Sequence, residues 1–143
     1  MINLNTLSIY TDGSEKAGKG SWAFLIVKNN QVIKEGSGLV IGANSNQMEY
    51  QAAIEAMKSI APGTKATIYS DFRVLVDTAT KWIPEWKAQD WVKKRNKQIH
   101  YLDQIKEIDE LILDREIIWR WIPAHRGQIY NERCDQLCIL ARS

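Results

Sequence analysis

The sequence predicts an α/β fold, a mixed β-sheet with helices on both of its faces. Three observations lead there. Ile9-Tyr10-Thr11-Asp12 and Ile68-Tyr69-Ser70-Asp71 spell nearly the same thing. Each follows a polar/apolar alternation and reads as a strand ending on an aspartate. The first strands follow one another with no helix between them, which predicts an antiparallel meander. Every later strand is separated from the one before by helix, and such crossovers produce parallel pairing.

Each element can be read in order. Strand one covers about residues 4–11. Strands over 21–27 and 32–40 flank Lys28-Asn29-Asn30-Gln31, whose Asn-Asn suits a tight hairpin. A helix over 45–60 carries Met48, Ala52, Ala53, Ala56, Met57 and Ile60 as its apolar stripe, and Pro62-Gly63 ends it. Strand four covers 66–70. A helix from about residue 72 carries Leu75, Val76 and Ala79, with a break expected at Pro84. Leu102, Ile105, Ile108, Leu111 and Ile112 mark a helix over 102–113. Strand five follows over 116–122, and a last helix over 131–142.

Strands one and four, parallel and in register, would put Tyr10 beside Tyr69 and bring Asp12 within about 5 Å of Asp71. At an effective dielectric of ~20, two carboxylates so placed repel by about 3 kcal/mol. A shared proton, a cation from Arg or Lys, or a metal must answer that charge. In sheets of this kind ligands bind beyond the carboxyl ends of the strands, where both aspartates sit.

The 143 residues, 45% hydrophobic and 25% charged, suit one domain with a real core. No secretory signal, membrane-length apolar run or low-complexity tail is visible, so a cytoplasmic protein with no membrane association is expected. Met1 close to the first strand suggests a free-standing chain, and a monomer is expected. Cys134 and Cys138 stand four apart on the last helix beside Leu137 and Ala141, and read as small buried hydrophobes. A zinc site would need two more ligands, and none is spaced for it.

Net charge is +2, unevenly spread. Residues 81–97 hold Lys81, Lys87, Lys93, Lys94, Arg95 and Lys97 against Glu85 and Asp90, so the rest of the chain is net acidic. The same stretch holds Trp82, Trp86 and Trp91, three of the six tryptophans. Cations interleaved with flat aromatics suit nucleic acid. Core packing is the plainer alternative for Trp82 and Trp86.

Two more acids belong in the reckoning. Glu49 lies in the first turn of the first long helix, and Asp135 on the last helix, just after strand five emerges through Ala124-His125-Arg126-Gly127. Each acid has an ordinary structural use. Asn46-x-x-Glu49 has capping-box spacing, and Asp71 can cap the helix it precedes. Asp12-Gly13 can be a plain turn, and Asp135 can face solvent. Convergence at one rim of the sheet favours a common site.

These residues carry a family resemblance. Tyr10-Thr11-Asp12-Gly13-Ser14, Asn46-Gln47-Met48-Glu49, Tyr69-Ser70-Asp71, Ala124-His125-Arg126-Gly127 and Asn131-Glu132-Arg133-Cys134-Asp135 occur in the order found in type 1 ribonuclease H. The chain resembles that family over nearly its whole length, and its tryptophan-rich segment, about residues 81–99, resembles the family's basic protrusion. The resemblance implies a single ribonuclease H domain over residues 1–143, with a five-stranded sheet in order 3-2-1-4-5 and strand 2 antiparallel. It implies endonucleolytic hydrolysis of the RNA strand of RNA–DNA hybrids, leaving 5′-phosphate and 3′-hydroxyl ends. Asp12, Glu49, Asp71 and Asp135 would hold two Mg²⁺ ions, about 4 Å apart, with Mn²⁺ as a substitute. His125 would assist proton movement or release of product and metal. No small-molecule cofactor is implied.

The resemblance also implies how the strands are told apart. Gly13, Ser14, Asn44, Ser45, Asn46 and Gln47, with Glu49, would read 2′-hydroxyls across the minor groove. Trp82 and Trp86 would pack on sugars of the DNA strand, with Arg73 and Trp91 alongside. Lys87, Lys93, Lys94 and Arg95 would hold its phosphates. Some positions depart from the family pattern. Asn44-Ser45 stands where Thr-Asn is frequent, Phe72 where serine is common, and Val74 where many members have an aromatic. Altered substrate affinity with intact chemistry is expected. The same fold and acids serve integrases, transposases, exonucleases and resolvases, but the His125 loop and the tryptophan protrusion argue against those. The intact acid set argues against a non-catalytic hybrid-binding module.

Overall fold

Alternation and crossover build the sheet. The computed structural model describes residues 6–92, 98–123 and 128–143. Strands β1 (Leu7–Lys16), β2 (Lys19–Lys28), β3 (Gln31–Ile41), β4 (Lys65–Ser70) and β5 (Glu116–Trp121) lie in the order β3-β2-β1-β4-β5. β2 pairs antiparallel to β1 and β3, whereas β4 pairs parallel to β1 and β5. Asn29 (φ 52°) and Asn30 (φ 62°) close the β2–β3 hairpin, both in the left-handed region that a tight primed turn needs.

β1 does not stop at its aspartate. Its ladder with β4 ends at Thr11↔Ser70, but pairing with β2 continues through Asp12↔Ala23 to Lys16↔Lys19. β2 satisfies the backbone there, so Asp12-Gly13 is strand rather than turn. Gly13 is required for a different reason. A Cβ at Gly13 would stand 2.3 Å from the backbone nitrogen of Glu49, so its absence lets the helix approach the strand.

That helix, α1 (Ser45–Lys58), is capped by Asn44, whose side chain accepts from the Gln47 N–H while the Gln47 side chain accepts from the Asn44 N–H. The capping box is therefore Asn44–Gln47, not the Asn46–Glu49 pair that the spacing suggests, and Glu49 is left out of the cap. Asp71 is not the N-cap of α2 (Arg73–Asp77), because Phe72 occupies that position.

No break occurs at Pro84. Helix α2 runs through a π-helical turn (Thr78–Trp82) directly into α3 (Ile83–Ala88), with Pro84 in the first turn of α3. The wider turn makes room for the ring, and Pro84 stands where the first turn of a helix tolerates a missing N–H. Helices α4 (Leu102–Leu113) and α5 (Ile129–Arg142) complete the fold. α5 starts earlier than its apolar pattern implies because the Gln128 side chain accepts from the N–H groups of Tyr130 and Asn131 at 2.7 and 2.8 Å.

Each face of the sheet has its own core. On one, Ile9, Phe24 and Ile68 meet Tyr50, Ile54 and Met57 of α1 and Ile105 and Ile108 of α4. On the other, Tyr10, Leu25 and Val27 meet Cys134, Leu137 and Cys138 of α5. Both cysteines are fully buried and free, as expected of small hydrophobes. Among the described residues, no helix is long and apolar enough to cross a membrane.

Candidate active site

Tyr10 and Tyr69 stand opposite each other in the β1–β4 register and stack at 4.8 Å, 13° from parallel. That register carries both chains to one rim together. Just past it, the side chains of Asp12, Glu49 and Asp71 bring carboxylate oxygens within 4.8 Å of one another. Asp12 comes from β1, Glu49 from α1 beside Gly13, and Asp71 from the turn after β4. Two bonds fix that turn: the Phe72 N–H donates to Ser70 Oγ at 3.0 Å, and the Trp121 indole N–H donates to the Asp71 carbonyl at 3.2 Å. Sequence reasoning missed Trp121. Its signal was available, because Trp121 of β5 pairs with Ser70 of β4 and so ends beside Asp71.

Asp135 is partly exposed on α5 and lies outside the tight trio, yet close enough for its charge to act on Asp12. Its helix is keyed to β1. Cys134 Sγ donates to the Tyr10 carbonyl at 3.3 Å, and Cys138 Sγ to the Asp12 carbonyl at 3.6 Å. Four residues of helix rise about 6 Å and two of strand about 6.7 Å, so α5 and β1 stay in step over successive contacts.

Burial and crowding raise the proton affinity of Asp12 and Glu49. Asp12 is pushed up to about 8, first by burial and then by the charges of Asp71 and Asp135, against the Gly13 N–H and the Arg142 guanidinium. Burial, then Asp12 and Asp71, also holds Glu49 well above the usual carboxylate range. The Gly13 N–H reaches Asp12 Oδ1 at 3.0 Å. Glu49 Oε1 is buried without a hydrogen-bond partner, a costly state for a carboxylate. A hard divalent cation fits this set: carboxylate oxygens converge, and one of them, on Glu49, is buried without a hydrogen bond.

Next to the acids runs a cleft of about 630 Å³, walled by Tyr50, Phe72, Val74, Trp82, Trp86 and Tyr101. Asn46, one turn before Glu49, and Phe72, next to Asp71, both line it, so cleft and acids adjoin. Trp82 and Trp86 stack at 5.9 Å, with Trp82 exposed and Trp86 packed on the core. Where Val74 offers no ring, Phe72 stands edge-on to Tyr50 and supplies an aromatic wall.

The other residues singled out by sequence fall into distinct settings. Ser45 and Asn46 are exposed at the start of α1, whereas Asn44 and Gln47 spend their side chains on the cap, and Asn44 also donates to the Tyr101 hydroxyl. Arg73 lies over the Trp121 ring at 5.6 Å. Trp91 packs against the core and receives Lys106 over its face at 5.6 Å. Lys87, expected on phosphates, is exposed and pairs its ammonium with Asp109 at 3.2 Å. Lys93, Lys94, Arg95 and His125 lie outside the described residues.

Comparison with known proteins decides the family. The RNase H family model matches residues 5–142. The chain belongs to the ribonuclease H family. Ribonuclease H of Caulobacter sp. (strain K31) is 33% identical over 136 residues, spanning 94% of this chain and 88% of the relative. Ribonuclease H of Ehrlichia canis (strain Jake) is 34% identical over 144 residues, covering 98% and 94% of the two chains. Among solved structures, LC9-RNase H1, described as a type 1 RNase H with the type 2 active-site motif, superposes with a TM-score of 0.86 at 22% identity, covering 99% of this chain and 74% of that one. The RNase H1 of Halobacterium salinarum NRC-1 superposes at 0.67 and 19% identity, covering 95% and 96%. These structures share the fold. The family match and the sequence relatives make this chain an endoribonuclease of the ribonuclease H type.

Proposed function

We propose that this protein hydrolyses the RNA strand of RNA–DNA hybrids, using divalent cations held by Asp12, Glu49, Asp71 and Asp135. One observation carries the reading in a ribonuclease H chain: three carboxylates from three elements converge within 4.8 Å, one of them buried with an unclaimed oxygen. Asp12, Glu49, Asp71 and Asp135 would hold divalent ions, which would supply acidification of a water and offset of charge at the phosphate. The chain's own groups do the rest. Asp12, within electrostatic reach of Glu49, Asp71 and Asp135, would be one of the ligands. The Gly13 N–H steadies Asp12 Oδ1. His125 supplies an imidazole able to take or return a proton near neutral pH. The products carry 5′-phosphate and 3′-hydroxyl ends.

Selectivity follows from two surfaces on either side of the acids. Gly13, Ser14, Ser45 and Asn46 face the RNA strand, whose 2′-hydroxyls a minor-groove contact can recognise. Across the cleft, the stacked Trp82 and Trp86 receive sugars of the DNA strand, where a 2′-hydroxyl would crowd. Lys93, Lys94 and Arg95 hold phosphates without reading sequence.

A labelled hybrid incubated with Mg²⁺, with Mn²⁺ and with excess EDTA tests the proposal, alongside duplex DNA and duplex RNA. Hybrid alone is expected to be cut, and only with metal. Asp12→Asn is expected to abolish cleavage in Mg²⁺ while hybrid binding largely survives. Turnover by that variant comparable to wild type would end the assignment.

A further inference from the structure

The stepwise match of α5 to β1 does not end at the acids. After Cys134 on the Tyr10 carbonyl and Cys138 on the Asp12 carbonyl, the next step pairs Arg142 with Ser14. Arg142 Nη1 donates to Ser14 Oγ, and to Ser21 Oγ at 3.2 Å. Ser14 and Ser21 face each other in the β1–β2 register, with hydroxyl oxygens 3.3 Å apart. Arg142 lies two helical turns past Asp135, and Ser14 two residues past Asp12. A cation thus repeats, one step along, the geometry that brings the acids together.

The chemistry of this cluster is one-sided. A guanidinium only donates, so it occupies lone pairs of both hydroxyls. Ser21 is fully buried, whereas Ser14 and Arg142 are partly open. Ser14 can then turn its own O–H outward. Nε and Nη2 of Arg142 make no hydrogen bond to any described residue and keep their donors. The result is a small group of donors bearing one positive charge, about one strand step, ~7 Å, from Asp12. Phosphate, with charged oxygens at its rim, is the ligand such a group recognises best. The Arg142 charge also acts on Asp12, which places the guanidinium within electrostatic reach of the acid rim.

We propose that Arg142 and Ser14 form a cradle for an RNA-strand phosphate next to the one being cleaved. Ser21 anchors the guanidinium from below. This rests on the hybrid-cleaving reading above and adds to it a binding residue at the far end of the last helix. Arg142 holds the strand in place and takes no part in the bond-breaking step.

The test uses the full chain and fluorescence anisotropy of a labelled hybrid in EDTA, where binding is read without cleavage. Arg142→Gln is expected to weaken binding about five- to tenfold at low salt and to reduce the slope of log Kd against log salt by about one. Arg142→Lys should restore the slope, and Ser14→Ala should weaken binding while leaving the slope intact. Hybrids carrying a single methylphosphonate, walked along the RNA strand, should show one position that weakens wild type but not Arg142→Gln. Thermal melting of each variant separates binding from folding, since a fold defect does not alter the salt slope. An unchanged slope in Arg142→Gln overturns the cradle. So does a lost sensitivity to a DNA-strand phosphate, or to a single 2′-deoxy substitution, in place of the RNA phosphate. If wild type neither binds nor cuts the hybrid, the underlying functional reading fails, and the cradle with it.

Discussion

Asp12 binds its proton far more tightly in the folded, metal-free protein than a carboxylate does in an unfolded chain, and so does Glu49. Groups of this kind favour folding at low pH. Their contribution is complete below the ordinary carboxylate range and is lost as pH climbs through the folded value, about 8 for Asp12. The protein in EDTA should therefore unfold at lower urea concentration near pH ~9 than near pH ~5. Asp12→Asn keeps the acceptor for the Gly13 N–H and cannot ionise. It should raise metal-free stability at neutral pH by about 2 kcal/mol, because the wild-type carboxyl stays protonated in the fold where the unfolded chain would ionise it. Its pH profile should also be flatter. Added Mg²⁺ should stabilise wild type and leave the variant nearly unmoved. A variant less stable than wild type in EDTA would contradict the electrostatic picture.

Among the elements, α1 most directly governs the site, because it carries Glu49 on a helix whose start is fixed by the Asn44–Gln47 box. Asn44→Ala should cost about 1 kcal/mol and lower the melting temperature by about 2–4 °C, whereas Asn44→Asp should keep most of the cap. Calorimetry of the two variants distinguishes them. The same helix marks where sequence could be read and where it could not. The spacing suggested a capping box at Asn46–Glu49, and the observed start of the helix puts it at Asn44–Gln47. Strand pairing was legible because the Ile-Tyr-x-Asp echo fixes register by itself. Pro84 was misjudged because a π turn upstream leaves no trace in composition. The pairing of Lys87 with Asp109 left no local signal, because Asp109 lies far off in sequence, on a helix that only packing brings near. Arg142 went unnoticed for a related reason: its value depends on a helix and a strand keeping step, which no local pattern records.

For the molecule as a whole, charge is divided between an acidic rim and a basic segment. Replacing Lys93, Lys94 and Arg95 together by Ala should raise KM for the hybrid more than it lowers kcat, with the difference fading at high salt. An unchanged KM at low salt would remove the basic handle from the account. The division also explains a small net charge of +2 in a protein that must approach a polyanion. Steering depends on where the cations stand, and the acids stay shielded until a metal arrives.

The three crowded carboxylates belong to β1, α1 and the turn after β4, and the glycine between them admits nothing bulkier than hydrogen. No short fragment of the chain contains this centre. A partly assembled molecule, with one helix adrift or one strand slipped, owns the same amino acids and none of the chemistry. Turnover in a cell extract would therefore count intact copies only, and a damaged copy left bound to nucleic acid could not nick it by accident.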